Sequence, residues 1–166
     1  MTIIDGRTIS KRLHWDCGDI GTRARKAPPR AFVWHWTGGV RPAEGVCETL
    51  RARSLSVHYI IDPDGRTVLC VDPVTTVAYH AGDANAWTIG CEIVGGPRAD
   101  FTAAQYESIG ALADAQTLPR RVFRGGYDDL RTFAGHLEHR DLTARKIDAG
   151  GRVLRFLAAR WGLPPY

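Results

Sequence analysis

Of its 166 residues, no run is apolar for long enough to span a membrane, and the four cysteines include no CxxC pair. The first absence excludes a transmembrane helix. The N-terminus, Met1-Thr2-Ile3-Ile4-Asp5-Gly6-Arg7, also lacks the basic, apolar, small-residue order of a signal peptide. Together these features predict a protein made in the cytoplasm, with Cys17, Cys47, Cys70 and Cys91 as reduced thiols and not a disulfide frame. There are no internal repeats and no low-complexity segments. No RNP-like aromatic motif, zinc finger or helix-turn-helix pattern is present, so nucleic acid is not an expected partner. The sequence leaves the oligomeric state open, and a monomer is the working expectation.

With 44% hydrophobic residues, the chain has enough material for one compact domain and little room for a second. Its formal net charge of +4 is concentrated at one end. Among the first thirty residues, Arg7, Lys11, Arg12, Arg23, Arg25, Lys26 and Arg30 face only Asp5, Asp16 and Asp19, and seven minus three accounts for the whole excess. Such a segment is either a solvated flank or an arm drawn to a polyanion such as a cell envelope. The expected organisation is therefore a basic segment at 1–30 followed by a catalytic domain at 31–166.

After Pro28-Pro29, the apolar run at 31–36 predicts a strand stopped by Gly38-Gly39, and 42–53 predicts a short helix with proline in its first turn. Strands at 56–61 and 66–71 flank Asp62-Pro63-Asp64-Gly65, a hairpin turn sequence. A strand at 88–94 ends at Gly95-Gly96-Pro97. Thr102-Ala103-Ala104-Gln105 then reads as a capping box, with Phe101 and Tyr106 at staple spacing, opening a helix that ends before Pro119. A weaker strand pattern covers 131–136, and a last amphipathic helix covers 151–161. Interleaved strands and helices predict an α/β fold, a central mixed β-sheet flanked by helices.

Six histidines stand at 14, 35, 58, 80, 136 and 139. A catalytic zinc site takes three ligands from His, Asp, Glu or Cys and keeps a fourth position for water. His35, His139 and Asp148 supply such a set if their segments converge. Lys146 precedes Asp148 by two, so in an extended loop its charge projects to the same side without being a ligand. Cys91, next to Glu92, alternates to the opposite face and reads as core, as do Trp34 and Trp36. His58 reads as structural, and His14 as a packed or exposed histidine.

Six segments, in order, resemble the zinc-dependent N-acetylmuramoyl-L-alanine amidases of type 2, the family that includes phage lysozyme-like amidases, cytosolic recycling amidases and peptidoglycan recognition proteins. They are Val33-Trp34-His35-Trp36-Thr37, the stretch from Ser56 to Gly65, Tyr79-His80-Ala81-Gly82, the stretch from Thr88 to Gly95, Phe101-Thr102-Ala103-Ala104-Gln105, and the stretch from His139 to Gly150. Each is weak alone, and six in sequence are strong.

The resemblance implies Zn2+ as cofactor on His35, His139 and Asp148, Glu92 as general base, and Lys146 as the group that stabilises the transition state. It implies peptidoglycan or muropeptides as substrate, cut between N-acetylmuramic acid and L-alanine. His80, Asn85, His136 and Arg145 are the expected substrate-binding residues. Gly135-His136 also resembles the family's Gly-His strand end, so His136 competes with His139 for the ligand position, and the wording His139-Arg140-Asp141 favours His139. The chain departs from many relatives at Val57, where some have tyrosine, and at Ala149, where many have proline. A phage or prophage endolysin is the expected role, acting on the wall after release. The alternatives are a cytosolic recycling amidase and a noncatalytic peptidoglycan-binding module.

Overall fold

The computed structural model describes residues 21–166; of the preceding chain it gives only the backbone pairing of Ile3–Ile4, Arg7–Thr8 and Lys11–Arg12. His14, Cys17 and the side chains of Arg7, Lys11 and Arg12 therefore lie outside the described residues. From residue 21 the elements are β1 (Thr22–Ala24), β2 (Ala31–Trp36), α1 (Ala43–Ala52), β3 (Tyr59–Ile61), β4 (Thr67–Leu69), β5 (Thr76–Ala78), β6 (Thr88–Ile93), α2 (Ala103–Asp114), β7 (Gly135–Glu138), α3 (His139–Leu142) and α4 (Arg152–Arg160). The main sheet runs β7-β2-β6-β3-β4, with Lys11–Arg12 added beside β4. It is mixed: β7, β2, β6 and β3 are parallel, and β4 turns back antiparallel on β3. β1 and β5 form a separate antiparallel pair.

Strand alternation divides the side chains between two layers. Phe32, Trp34, Ile89, Cys91 and Ile93 point to one face and pack with Ile109 and Leu112 of α2 and Val153, Leu154 and Leu157 of α4. This puts Trp34 and Cys91 in the core, as the pattern predicts. On the other face, α1 covers only the β3–β4 half, through Ala43 and Val46 against Ile60 and Val68. The β2–β6 half of that face is left to loops, and the functional site forms there.

The local signals that make these elements are satisfied. Gln105 N–H donates to Thr102 Oγ1 and Thr102 N–H to Gln105 Oε1, each at 3.0 Å, so two of the donors that a helix start leaves unpaired are used. The β3–β4 hairpin closes through Asp62, whose Oδ1 also accepts the first N–H of α1 from Ala43 at 2.8 Å, tying the helix to the sheet. Two parts differ from the sequence reading: the β1–β5 pair was not expected, and the strand read at 131–136 is displaced. The chain at 127–131 winds into a 3-10 turn, with Gly126 N–H donating to Asp129 at 2.8 Å, and the strand begins at Gly135. Asp129 caps that turn, and capping outweighs the weak strand pattern at 131–136.

Candidate metal centre and active site

β2, β6 and the β7–α3 junction converge at one end of the open half-face. His35 and Glu92 are register partners on β2 and β6, and residues paired in this way point to the same side of a parallel sheet. His139 begins α3 immediately after β7, and the loop that follows returns Asp148 to it. Arg140 N–H donates to Asp148 O at 2.8 Å and closes that loop. His35 Nδ1 lies 2.9 Å from His139 Nδ1 and 3.2 Å from Asp148 Oδ2, and His139 Nδ1 lies 3.0 Å from the same oxygen.

Two imidazole nitrogens and one carboxylate oxygen therefore face a single point. Tetrahedral zinc, bound at about 2.0–2.1 Å, sets its ligand atoms about 3.3 Å apart. The observed triangle is within a few tenths of an ångström of that, and its donor set is the one zinc takes, so these residues fit the ion.

The electrostatics follow from burial. His35 is 1% exposed, and burial depresses its pKa to about 4 even though the hydrogen bond to Asp148 opposes the shift, so it is neutral and competent as a ligand at neutral pH. Burial works against ionisation of Asp148, but the hydrogen bonds with His139 and His35 outweigh it and hold the carboxyl below the usual range. Glu92 is pushed up to about 8, first by burial and then by the neighbouring Asp148 charge, with Lys146 and Arg53 pulling the other way. Its Oε2 is inaccessible and has no hydrogen-bond partner among the described residues. It stands over a cleft of about 330 Å³ lined by Thr37, Gly38, Gly39, Arg41, Val46, Thr49, Leu50 and Arg53. Lys146 and Arg145 are exposed on the loop before Asp148.

His80 lies beside the triangle, partly exposed. Its Nδ1 is 3.0 Å from His35 Nε2, and its Nε2 is 3.4 Å from Thr88 Oγ1. One assignment of protons satisfies every group. His35 Nε2–H donates to His80, His80 Nε2–H donates to Thr88 Oγ1, and the Thr88 hydroxyl donates to Ala84 O at 2.8 Å. The unprotonated Nδ1 of His35 is then left facing the other two ligand atoms. Asn85 supports this arrangement from behind, accepting the N–H groups of His80 and Ala81 at 3.0 and 2.6 Å. Gly90 makes room for it, since a Cβ there would sit 2.6 Å from the His80 ring. His58 is fully buried, accepting Gly90 N–H at 2.9 Å on Nδ1 and facing Thr76 O at 3.1 Å, a structural tether between β6 and β5.

The structure does not bring His136 to the site. It pairs with Phe32 on β2, so it points to the α4 face, opposite His35. It is completely buried there, its ring 5.0 Å from Trp161, accepting Trp34 Nε1–H at 3.3 Å. The strand ends between His136 and His139, and α3 turns the second histidine to the other side. Sequence reading missed Glu138, a buried carboxylate that accepts N–H groups from Gly151, Val153 (3.0 Å) and Leu154 (3.3 Å) and so fastens the end of the Asp148 loop to α4. Burial raises its pKa, and these hydrogen bonds oppose the rise. The sequence offered no signal for it, since the short strand Gly-His-Leu-Glu has one apolar side chain and Glu138 stands at its end.

Comparison with known proteins agrees with this geometry. Residues 25–150 match the family model of N-acetylmuramoyl-L-alanine amidase. The chain belongs to that family. It is therefore an amide hydrolase of the peptidoglycan amidase class, with the single-domain mixed α/β fold of the type-2 enzymes. Among solved structures it is similar to the endolysin N-acetylmuramoyl-L-alanine amidase LysCS from Clostridium intestinale URNW, with a TM-score of 0.68 at 18% identity over 93% of this chain and 97% of that one. It is also similar to AmpD, with a TM-score of 0.61 at 18% identity over 93% and 99%. Drosophila PGRP-LB gives 0.59 at 12% identity over 94% and 98%. A comparison with curated protein sequences finds no match. No helix among the described residues is long and apolar enough to cross a membrane.

Proposed function

We propose that this amidase is zinc-dependent and hydrolyses the bond between the lactyl group of N-acetylmuramic acid and L-alanine, in the manner of an endolysin. The observation that carries the reading is the triangle of His35, His139 and Asp148 with the unpartnered Glu92 carboxylate on the neighbouring strand. When bound, zinc supplies Lewis acidity, which acidifies a water and polarises the amide carbonyl. Glu92 accepts the proton of the attacking water and delivers it to the leaving nitrogen. The Asp148 charge that helps raise the Glu92 pKa would be offset once that carboxylate held the ion, favouring Glu92 as a base. Lys146, exposed on the loop beside the ligands, offsets the negative charge that grows on the carbonyl oxygen.

Because His80 holds the far nitrogen of His35, its role is to orient a ligand, and Asn85 acts one step behind it. Arg145 is left as the substrate-facing group of the loop. In the basic segment at 1–30, Arg25 and Arg30 donate to backbone carbonyls of the folded domain, and the exposed Arg23 and Lys26 are the side chains assigned to holding the anionic wall polymer. The basic character of that segment supports the wall over soluble muropeptides as substrate.

Mass spectrometry of digests tests the whole reading. Intact sacculi should release stem peptides that begin with L-alanine. Release only from soluble muropeptides would point to recycling, and glycan cleavage or no cleavage would remove the proposal.

A further inference from the structure

Cys47 on α1 and Cys70 just beyond β4 are free thiols whose sulfurs lie 3.8 Å apart in the structure. Cys70 is buried and Cys47 is half-exposed, so one partner can meet a reagent and the other waits behind it. The hydrogen bond between them lowers the pKa of Cys47 against the opposing effect of burial, while burial raises that of Cys70. The more accessible sulfur is thus also the readier nucleophile. Cys91 is packed on the opposite face of the sheet, so it cannot compete for either.

We propose that Cys47 and Cys70 form an oxidation site that closes to a disulfide, cross-linking α1 to the sheet. The sulfurs need to approach by about 1.8 Å to reach the bonded distance of about 2.05 Å, and it is the half-exposed Cys47 that has room to move. With a peroxide as oxidant, the Cys47 thiolate attacks a peroxide oxygen, breaking the O–O bond and leaving a sulfenic acid and one water. Cys70 then attacks the sulfenic sulfur and expels a second water, so two thiols and one hydrogen peroxide give one disulfide and two waters. With a disulfide such as oxidised glutathione as oxidant, two exchanges release two equivalents of the reduced thiol. The bridge closes a loop of 23 residues and pins the helix whose Val46, Thr49, Leu50 and Arg53 form one wall of the cleft at Glu92.

The test is peptide mapping and thermal unfolding of the full chain before and after treatment with hydrogen peroxide or oxidised glutathione. A Cys47–Cys70 linked peptide and a rise in Tm of about 5–10 °C are expected, both reversed by dithiothreitol. Cys47→Ser and Cys47→Ala should fold, lack the linked peptide and show no oxidant-dependent Tm rise. Recovery of Cys47 only as a glutathione adduct or sulfinic acid, or an equal Tm rise in the Cys47 variants, overturns the proposal.

Discussion

His35 and Glu92 are register partners on adjacent parallel strands, so a metal-ligand candidate and a carboxylate of raised pKa share one face of the sheet, held by backbone hydrogen bonds. Rigid placement of this kind separates binding from proton transfer. Glu92→Gln should leave zinc bound at about one ion per chain and lower turnover roughly a hundredfold or more, because an amide cannot take the proton of water. Zinc content and peptidoglycan release on the same preparation decide it. Near-normal turnover would assign the base elsewhere.

Lys146→Ala is expected to keep the metal and slow the chemical step, since the side chain contributes charge and not a ligand atom. Loss of zinc in this variant would mean that the loop between His139 and Asp148 depends on the lysine for its shape, contrary to the role given to it here.

Most of this site was legible in the sequence because strand alternation and short loops decide it. Six segment likenesses and a period of two are enough to put His35 and Glu92 on one side and Cys91 on the other. The parts that were not legible depend on which strand lies beside which. His136 and His139 are separated by a strand end that the pattern placed too early, so only the pairing of β7 with β2 shows that His136 belongs to the core. The hydrogen bond of His80 to His35 was likewise out of reach of the sequence, because the two lie 45 positions apart. Glu138 had no sequence signature, because it closes a strand of only four residues with one apolar side chain.

The edge-on hydrogen bond of His80 to His35 makes a small residue at position 90 a requirement for the metal centre. Gly90→Ala should push the His80 ring from its place, since the added methyl would sit 2.6 Å from it. We expect the change to weaken zinc affinity about 10–100-fold, as losing the group that orients a ligand does. His80→Ala should show a similar loss with less cost to stability. Zinc competition with a chromogenic chelator reads both, and unchanged affinity in His80→Ala would dismiss the orienting role.

Buried neutral histidines also set the acid limit of the fold. Burial depresses the pKa of both His58 and His136 to about 3, from an ordinary value of 6.5. In that interval the unfolded chain binds protons that the folded chain refuses, so the stability these residues contribute is complete above pH 6.5 and is lost as the pH falls toward 3. Each histidine adds about 1.4 kcal/mol per pH unit to the slope inside the window. Urea midpoints of metal-free protein between pH 7 and pH 4 should fall steeply, and His136→Phe should flatten the slope by one proton. A variant as pH-sensitive as the parent would mean that His136 takes up a proton in the folded state.

The two histidines near the strand end give the sharpest separation of ligand from core. His139→Ala removes one corner of the triangle and should strip the zinc and the activity together, with less effect on the fold of metal-free protein than a change at fully buried His136, because the His139 side chain is 12% exposed at the start of α3. His136→Ala empties a fully buried position between Trp34 and Trp161 and leaves the Trp34 N–H without its acceptor. An unpaired buried donor costs about 1–3 kcal/mol, so this variant should melt earlier while still holding one zinc per chain. Metal analysis and thermal unfolding of the two variants decide the assignment. A zinc-free His136→Ala beside a zinc-replete His139→Ala would reverse it, and would require β7 to pair with β2 one residue out of the register described here, because a slip of one residue turns every side chain of a strand to the other face.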